Sequence, residues 1–193
     1  MRRPLVSFAT LALACALLLP LYAQDAKPTP KPEAMAAPAG GARAEIVRSL
    51  DDAQKKLLAL AEAMPAEKYA WRPGEGVRSV GEVFAHVAAA NFFIPTLWST
   101  KMPAGVDPRG FEKEGGDKAK TIDTLKKSFD HVRHAIDAVP EADLGKTVKL
   151  FDHDGTIREA ILVVASHAHE HLGQSIAYAR MNKVVPPWSA AGQ

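Results

Sequence analysis

Two histidines spaced four residues apart carry the strongest chemical signal in the sequence. His167 and His171 lie in the segment TIREAILVVASHAHEHLGQSIAYARMN, which begins at Thr156 and predicts one long helix. Residues four apart on a helix lie one turn above each other on the same face, so both imidazoles can reach one metal ion. His169 falls on the opposite side of this helix and is excluded from the site. Two imidazoles leave a first-row metal under-coordinated, so another helix must supply a third ligand.

Two other polar residues share the face of this pair. Glu170 and Gln174 fall within about 60° of His167 on a helical projection. Glu170 is the candidate for a base beside the metal or for orienting a ligand imidazole, although a solvated helix glutamate gives the same pattern. Gln174 is expected to hydrogen-bond a ligand or a core group. The run does not match the HExxH metalloprotease motif, because the position three after Glu170 is Gly173.

The second predicted helix supplies the candidate for the third ligand. It is expected over residues 80–99 and is apolar nearly all round, which is typical of a buried helix. His86 lies within it. A histidine in such a helix is either hydrogen-bonded in the core or a metal ligand. Beside His167 and His171 the ligand interpretation is favoured, because a third imidazole is what the pair lacks.

Four predicted helices account for most of the chain. Apolar residues recur at three- and four-residue steps over 42–64, 80–99, 118–139 and 157–182. No segment gives a convincing strand, including the connector 141–155 with its VKLF patch. This pattern predicts an all-α fold, an up-and-down four-helix bundle. Bundles of this kind build metal sites from facing helices.

The loops and the other histidines are less informative. His131 and His134 point away from the apolar stripe of the third helix, and His153 lies in a DHDG turn, so all three are expected to be solvated. The Gly/Pro-rich connection 101–118 is long enough to be either functional or poorly ordered, and it could cover a pocket. Arg72 is expected to be a solvated loop arginine, with a place at the mouth of the site as the alternative.

The first part of the chain divides into a leader and a tether. Residues 1–23 combine two arginines, an apolar run and a small residue before Gln24, the layout of a secretory signal peptide. Cleavage is favoured over a retained membrane anchor because the apolar run is short and a proline ends it. Residues 24–41, rich in Pro, Ala and Lys, predict a flexible tether. We therefore expect an exported protein, periplasmic or secreted, with the bundle over 42–193.

Charge and cysteine content exclude several functions. The chain carries 24 Lys and Arg against 22 Asp and Glu, and loss of Arg2 and Arg3 with the leader makes the two totals equal. A neutral mature chain gives no electrostatic case for nucleic acid. Since the one cysteine, Cys15, also lies in the leader, the mature chain has no thiolate ligand and no cysteine nucleophile.

The segments around the histidines resemble the DinB-like superfamily. The resemblance is carried by SVGEVFAHVAAANFF in the second helix, HAHEHLGQSIAYARMNKVVPPWS in the fourth, and KYAWRP in the first loop. It implies a four-helix bundle in which three histidines bind a divalent metal, usually zinc or nickel, with water completing the site. Matched by motif, the ligands would be His86, His167 and His171. Three imidazoles by themselves suit zinc, nickel, copper and iron alike.

The resemblance also implies classes of function. Characterised relatives include thiol-dependent transferases and isomerases that use bacillithiol, mycothiol or glutathione, and bundles of this family often pair as homodimers. An open position beside three imidazoles can hold a water or bind a thiolate. The main hypothesis is a metal-dependent hydrolase or transferase acting on a small molecule, with Glu170 as the catalytic candidate. The alternatives are a non-catalytic bundle braced by its ion, and a metal-free bundle whose histidines are satisfied in the core.

Overall fold

The computed structural model describes residues 41–190. The predicted signal peptide at 1–23 lies outside the described residues, as does the predicted tether except for its last residue, Gly41. The described chain forms four long helices, followed by a short one near its end. Their bounds are α1 Gly41–Ala63, α2 Val80–Phe93, α3 Lys118–Asp137, α4 Ile157–Met181 and α5 Pro187–Ala190.

Local chemistry explains where α2 begins and ends. The Ser79 hydroxyl accepts a hydrogen bond from the backbone N–H of Glu82, and the Glu82 carboxylate accepts one from the backbone N–H of Ser79. This reciprocal pair is a capping box, and it fixes the first turn. The α-helix ends at Phe93, before the predicted boundary. Pro95 cannot donate a backbone hydrogen bond, and the chain continues as a 3-10 turn over Ile94–Trp98.

The connector between α3 and α4 forms a β-hairpin. Strand β1, Thr147–Leu150, pairs antiparallel with β2, His153–Thr156, and leaves Phe151 and Asp152 as a two-residue turn. The prediction of no strands is therefore wrong for this segment. The strands are only four residues long, too short for a clear alternating pattern. Leu150 is fully buried, so packing on the bundle rather than local sequence stabilises the hairpin.

The contacts between helices determine which side chains can meet. Helix α2 packs against α3 and α4, and α1 packs against the same two helices. Helices α1 and α2, although consecutive, therefore lie diagonally across the bundle, and α2 lies beside α4. The predicted all-α four-helix bundle is confirmed. Its arrangement brings together residues of α2 and α4 that are distant in sequence.

The apolar core runs through all four long helices, and the first interhelical loop packs on it. Tyr69 is fully buried and donates a hydrogen bond of 2.7 Å to the Ala61 carbonyl. Trp71 packs edge-on against the Tyr178 ring, with centroids 5.5 Å apart. The segment Val80–Trp98 is long and apolar enough to cross a membrane by length and composition, but 61% of it is buried in the bundle. Its apolarity is that of a core helix.

Candidate metal centre

Three histidines converge where α2 faces α4. His86 projects from α2, and His167 and His171 project from successive turns of α4. One ring nitrogen of each lies within 4.8 Å of the other two, and the Nε2 atoms of His86 and His167 are 3.2 Å apart. Two imidazole nitrogens on one tetrahedral zinc ion lie about 3.3 Å apart. The structure thus brings the three predicted ligands together at a spacing that fits one ion.

The outer nitrogens of two of the rings have their own hydrogen-bond acceptors. The Nδ1–H of His86 donates to Glu112 Oε1 at 2.8 Å, and the Nδ1–H of His171 donates to Gln174 Oε1 at 2.8 Å. The Gln174 amide in turn donates to the Tyr178 hydroxyl at 2.9 Å. These bonds fix the tautomer: in its neutral form, each of the two rings carries its proton on Nδ1. Their Nε2 lone pairs are then available to a metal ion.

His167 is the ring without an outer partner. Its Nδ1 atom is buried and has no hydrogen-bond partner among the described residues. Burial, with smaller contributions from the neighbouring His171 and His86, lowers the pKa of His167 to about 4. The ring is therefore neutral at pH 7, as a metal ligand must be.

Glu112 is a site residue that the sequence pattern does not reveal. It lies in a 3-10 turn, Pro108–Glu114, within the long connection between α2 and α3. Its Oε2 accepts a hydrogen bond of 3.0 Å from Arg78 Nε, while its Oε1 accepts from His86. Although burial acts to raise it, these two hydrogen bonds hold the pKa of Glu112 below its usual range. Glu112 therefore stays ionised and orients the His86 imidazole.

Glu170 lies on the wall of the cleft beside the histidines. Its side chain is exposed, and it lines the same cleft as His86 and His167. The carboxylate that orients a ligand ring is Glu112 instead. Within residues 41–190, Glu170 makes no side-chain hydrogen bond or ion pair, so its carboxylate is available to a molecule in the cleft.

The other candidate residues lie away from the cluster. As predicted, His169 points elsewhere: its Nε2 bonds to a backbone carbonyl of α1 at 3.0 Å. His134 and His153 are exposed, also as predicted. The prediction that His131 is solvated is wrong, because Phe92 covers it with ring centroids 5.2 Å apart and burial lowers its pKa. Arg72 pairs with the capping carboxylate of α2 and lines a smaller cavity next to Glu112 and Gln174.

An open cleft of about 1170 Å³ adjoins the histidine cluster. His86 and His167 form part of its lining, together with the carboxylates of Glu112 and Glu170. Most of the remaining surface is apolar and comes from α2, the 101–118 connection, the β-hairpin and α4. A cleft with a few polar groups in an apolar lining is typical of a small-molecule site.

The region that holds this cluster also identifies the family. The family model of the DinB superfamily matches residues 49–175, which include all three histidines. The chain belongs to the DinB superfamily. Among curated proteins, none matches this DinB-superfamily chain. The resemblance noted from the histidine segments is thereby confirmed.

Solved structures of DinB-like proteins share the fold. A DinB-like protein from Bacillus cereus ATCC 10987 aligns with a TM-score of 0.65 at 15% identity, covering 74% of this chain and 93% of its own. YfiT from Bacillus subtilis is described as a probable metal-dependent hydrolase with an unusual four-helix bundle topology. It aligns with a TM-score of 0.58 at 15% identity, covering 80% of this chain and 94% of its own. At these identities the likeness shows the fold alone.

The low pKa of His167 predicts how acid affects this DinB-superfamily protein without metal. The ring titrates near 6.5 in the unfolded chain and near 4 in the folded one. Between these values the unfolded state binds more protons, so stability falls as the pH is lowered. From pH 7 to pH 5 the free energy of unfolding is expected to fall by about 2 kcal/mol at most from this group. Urea unfolding at pH 7 and pH 5, in the presence of a chelator, measures this change in the free energy of unfolding.

The matched variants for this measurement are His167→Asn and His134→Asn. The first is expected to reduce the dependence of unfolding free energy on pH, because it removes the contribution of His167 to that dependence. The second changes an exposed histidine and is expected to leave the slope as it is. An unchanged slope in His167→Asn would contradict the prediction.

The hydrogen bond from His86 to Glu112 predicts a second effect. Glu112→Ala is expected to weaken zinc binding by about 10- to 100-fold, because partners that orient a ligand imidazole typically contribute that much. Competition with a chromophoric chelator measures the dissociation constant. Glu114→Ala is the control, since that carboxylate pairs with Lys120 at 2.8 Å and is distant from the histidine bonds. Equal affinities in the two variants would show that the bond to His86 is irrelevant.

Proposed function

We propose that this DinB-superfamily protein is an exported, metal-dependent hydrolase of a small molecule. One zinc or nickel ion would be held by His86, His167 and His171. The observation that carries the proposal is the convergence of three ring nitrogens within 4.8 Å beside an open cleft. Hydrolysis is preferred to thiol transfer because a protein of the same fold, YfiT, is described as a probable metal-dependent hydrolase. Export rests on the leader sequence.

The donor set supports a catalytic rather than a purely structural centre. Among residues 41–190, the cluster contains three ligand residues and no fourth. Three imidazoles leave a coordination position for water or substrate, which is the pattern of catalytic zinc sites. A divalent ion held in this way supplies a Lewis acid and an activated water. Glu112 and Gln174 hold two of the rings so that their free nitrogens point to a common centre.

Glu170 is proposed as the proton-transfer group. Its carboxylate shares the cleft with His86 and His167 and has no competing partner within the described chain. A carboxylate in this position can take a proton from the attacking water and return it to the leaving group.

The test uses the mature protein from Gln24, purified without an affinity tag. Elemental analysis is expected to find about one divalent ion per chain. Ester, amide and lactone substrates are then assayed before and after removal of the metal, and turnover is expected to disappear with the metal and return on its addition. His86→Ala is expected to lose both metal and turnover, whereas His169→Ala, altered on the same helix as two of the ligands, keeps both.

Two outcomes would overturn the proposal. Turnover that survives both metal removal and His86→Ala would place the chemistry elsewhere. Full metal binding with no turnover on any substrate would favour the alternative, a non-catalytic bundle in which the ion braces α2 against α4.

A further inference from the structure

We infer that the cleft beside the histidines binds an uncharged small molecule with an extended apolar part. Phe93, Phe151 and Leu162 form the surface that would hold this part, and we call them the apolar wall. The inference deepens the proposed function and rests on it for the identity of the site. The binding step can nevertheless be measured without any turnover.

Exposed apolar side chains are concentrated at this place. The described chain leaves six large hydrophobic side chains exposed to solvent, and they are Val77, Phe93, Phe151, Leu162, Met181 and Val185. The three residues of the apolar wall are all among them, with exposed fractions of 46%, 60% and 50%. They come from the end of α2, the hairpin turn and α4. Side chains from three separate elements that meet on one open surface indicate a binding site.

The backbone of Phe151 gives an independent reason to assign a role to the apolar wall. Its φ is 42° at the first position of the two-residue hairpin turn. This left-handed conformation favours glycine, which has no Cβ to clash with the backbone. With 60% of its surface exposed, Phe151 recovers little of the cost through burial. A bulky residue kept in a strained conformation and left uncovered indicates contact with a ligand.

The side-chain charges of the cleft disfavour an anionic ligand. Its lining contains the carboxylates of Asp107, Glu112, Glu159 and Glu170, and one cation among the described lining residues, Arg109. Arg109 is already paired with Asp107 at 2.9 Å. Glu112 and Glu159 are also paired, with Arg78 and His153. Apart from a bound metal ion, an anionic ligand such as a fatty acid therefore meets the charge of Glu170 and no unpaired positive side chain among the described lining residues. An uncharged ester or amide with an aliphatic or aromatic group meets no such opposition.

Binding is tested with the neutral fluorophore N-phenyl-1-naphthylamine on the mature protein, with and without zinc. Saturable binding at one site is expected. Leu162→Asn is expected to weaken it about tenfold, because losing an apolar contact in a pocket costs about 10-fold or more. Met181→Asn is the matched control, since Met181 lies on the same helix and is 60% exposed but is outside the cleft. That variant is expected to bind the fluorophore as the unmodified protein does.

Phe151→Gly separates the ligand role from a structural one. Glycine relieves the left-handed backbone, so the thermal unfolding midpoint is expected to stay the same or rise. Fluorophore binding is expected to weaken about tenfold, because the aromatic contact is lost. A variant that is both less stable and unchanged in binding would overturn the assignment of Phe151 to the apolar wall.

The outcomes distinguish this inference from the proposed hydrolase. Equal weakening in Leu162→Asn and Met181→Asn, or binding that appears only as the protein dimerises in size-exclusion chromatography, would overturn the inference.

A nitrophenyl ester series from acetate to octanoate supplies the second measurement. The expected rise of kcat/KM with chain length, lost in Leu162→Asn, supports both conclusions. Hydrolysis that is independent of chain length overturns the inference but leaves the hydrolase. Fluorophore binding that depends on Leu162 without any turnover supports the inference but overturns the proposed hydrolase.

Discussion

Replacement of Gly81 with alanine is expected to destabilise the folded protein by about 3 kcal/mol or more, at the upper end of overpacking effects. A Cβ at this position would lie 1.6 Å from the carbonyl oxygen of Gly115 and 2.6 Å from its carbonyl carbon. Both are backbone atoms, so they cannot rotate aside as a flexible side chain would. Alanine favours a helix over glycine by about 1 kcal/mol, but a clash this severe outweighs that gain.

The same substitution is expected to reach the histidine cluster. Gly81 lies in the first turn of α2, and its close approach to Gly115 holds the end of the turn that carries Glu112. If the clash is relieved by moving this turn away from α2, the hydrogen bond that His86 donates to Glu112 is lost. A weaker affinity for zinc is therefore expected to accompany the lower stability.

Denaturant unfolding and a zinc titration measure both effects of Gly81→Ala. Gly116→Ala is the control, because a Cβ there would meet nothing within 4 Å, and its effect is expected to stay within about 0.5 kcal/mol. Equal stability of the two variants would show that the contact between Gly81 and Gly115 is not as close as described.

His171→Ala is expected to weaken zinc binding by about 1000-fold. Zinc sites bind with about 10–16 kcal/mol, and the loss of one of three protein ligands removes a share of about 4 kcal/mol, or a factor of about 1000. His171 is only 8% exposed, and its ring is held by a hydrogen bond to Gln174. The ring is therefore already ordered before the ion binds, and its contribution to zinc affinity is not reduced by the cost of ordering it. Removing it leaves two imidazoles, His86 and His167, to hold the ion.

The measurement is a chelator competition, combined with thermal unfolding at several zinc concentrations. Zinc is expected to raise the unfolding midpoint of the unmodified protein and to leave that of His171→Ala almost unchanged. His169→Ala, two residues away and outside the cluster, is expected to respond to zinc as the unmodified protein does. Thermal unfolding of both variants without metal separates loss of the ligand from loss of packing. An unaltered affinity in His171→Ala would remove this residue from the site.

Local patterns in the sequence predict much of this architecture. The three- and four-residue spacing of apolar residues predicts the four long helices. The pairing of His167 with His171 is equally local, because one helical turn separates them. Signals of this kind depend on the geometry of a single element, and they remain valid whatever the element packs against.

The features that were missed depend on contacts between distant segments. Glu112 is 26 residues from His86 in the sequence. It lies in a loop, where no helical periodicity applies, and its position depends on the close approach of Gly81 to Gly115. The hairpin depends on burial of Leu150, and the half-burial of His131 on coverage by Phe92. Helical spacing predicts that Glu170 shares the face of His167, but it does not show which carboxylate accepts the His86 hydrogen bond, and that acceptor is Glu112.

The separation of 81 residues between His86 and His167 gives a bound ion a further consequence. An ion held by both residues ties the two halves of the bundle together, and global unfolding then requires its release. The chain has one cysteine, Cys15, so an internal disulfide cannot provide the same constraint. The supply of free divalent metal would therefore govern resistance to proteases, and a shortage would shorten the lifetime of the protein as well as limit its chemistry.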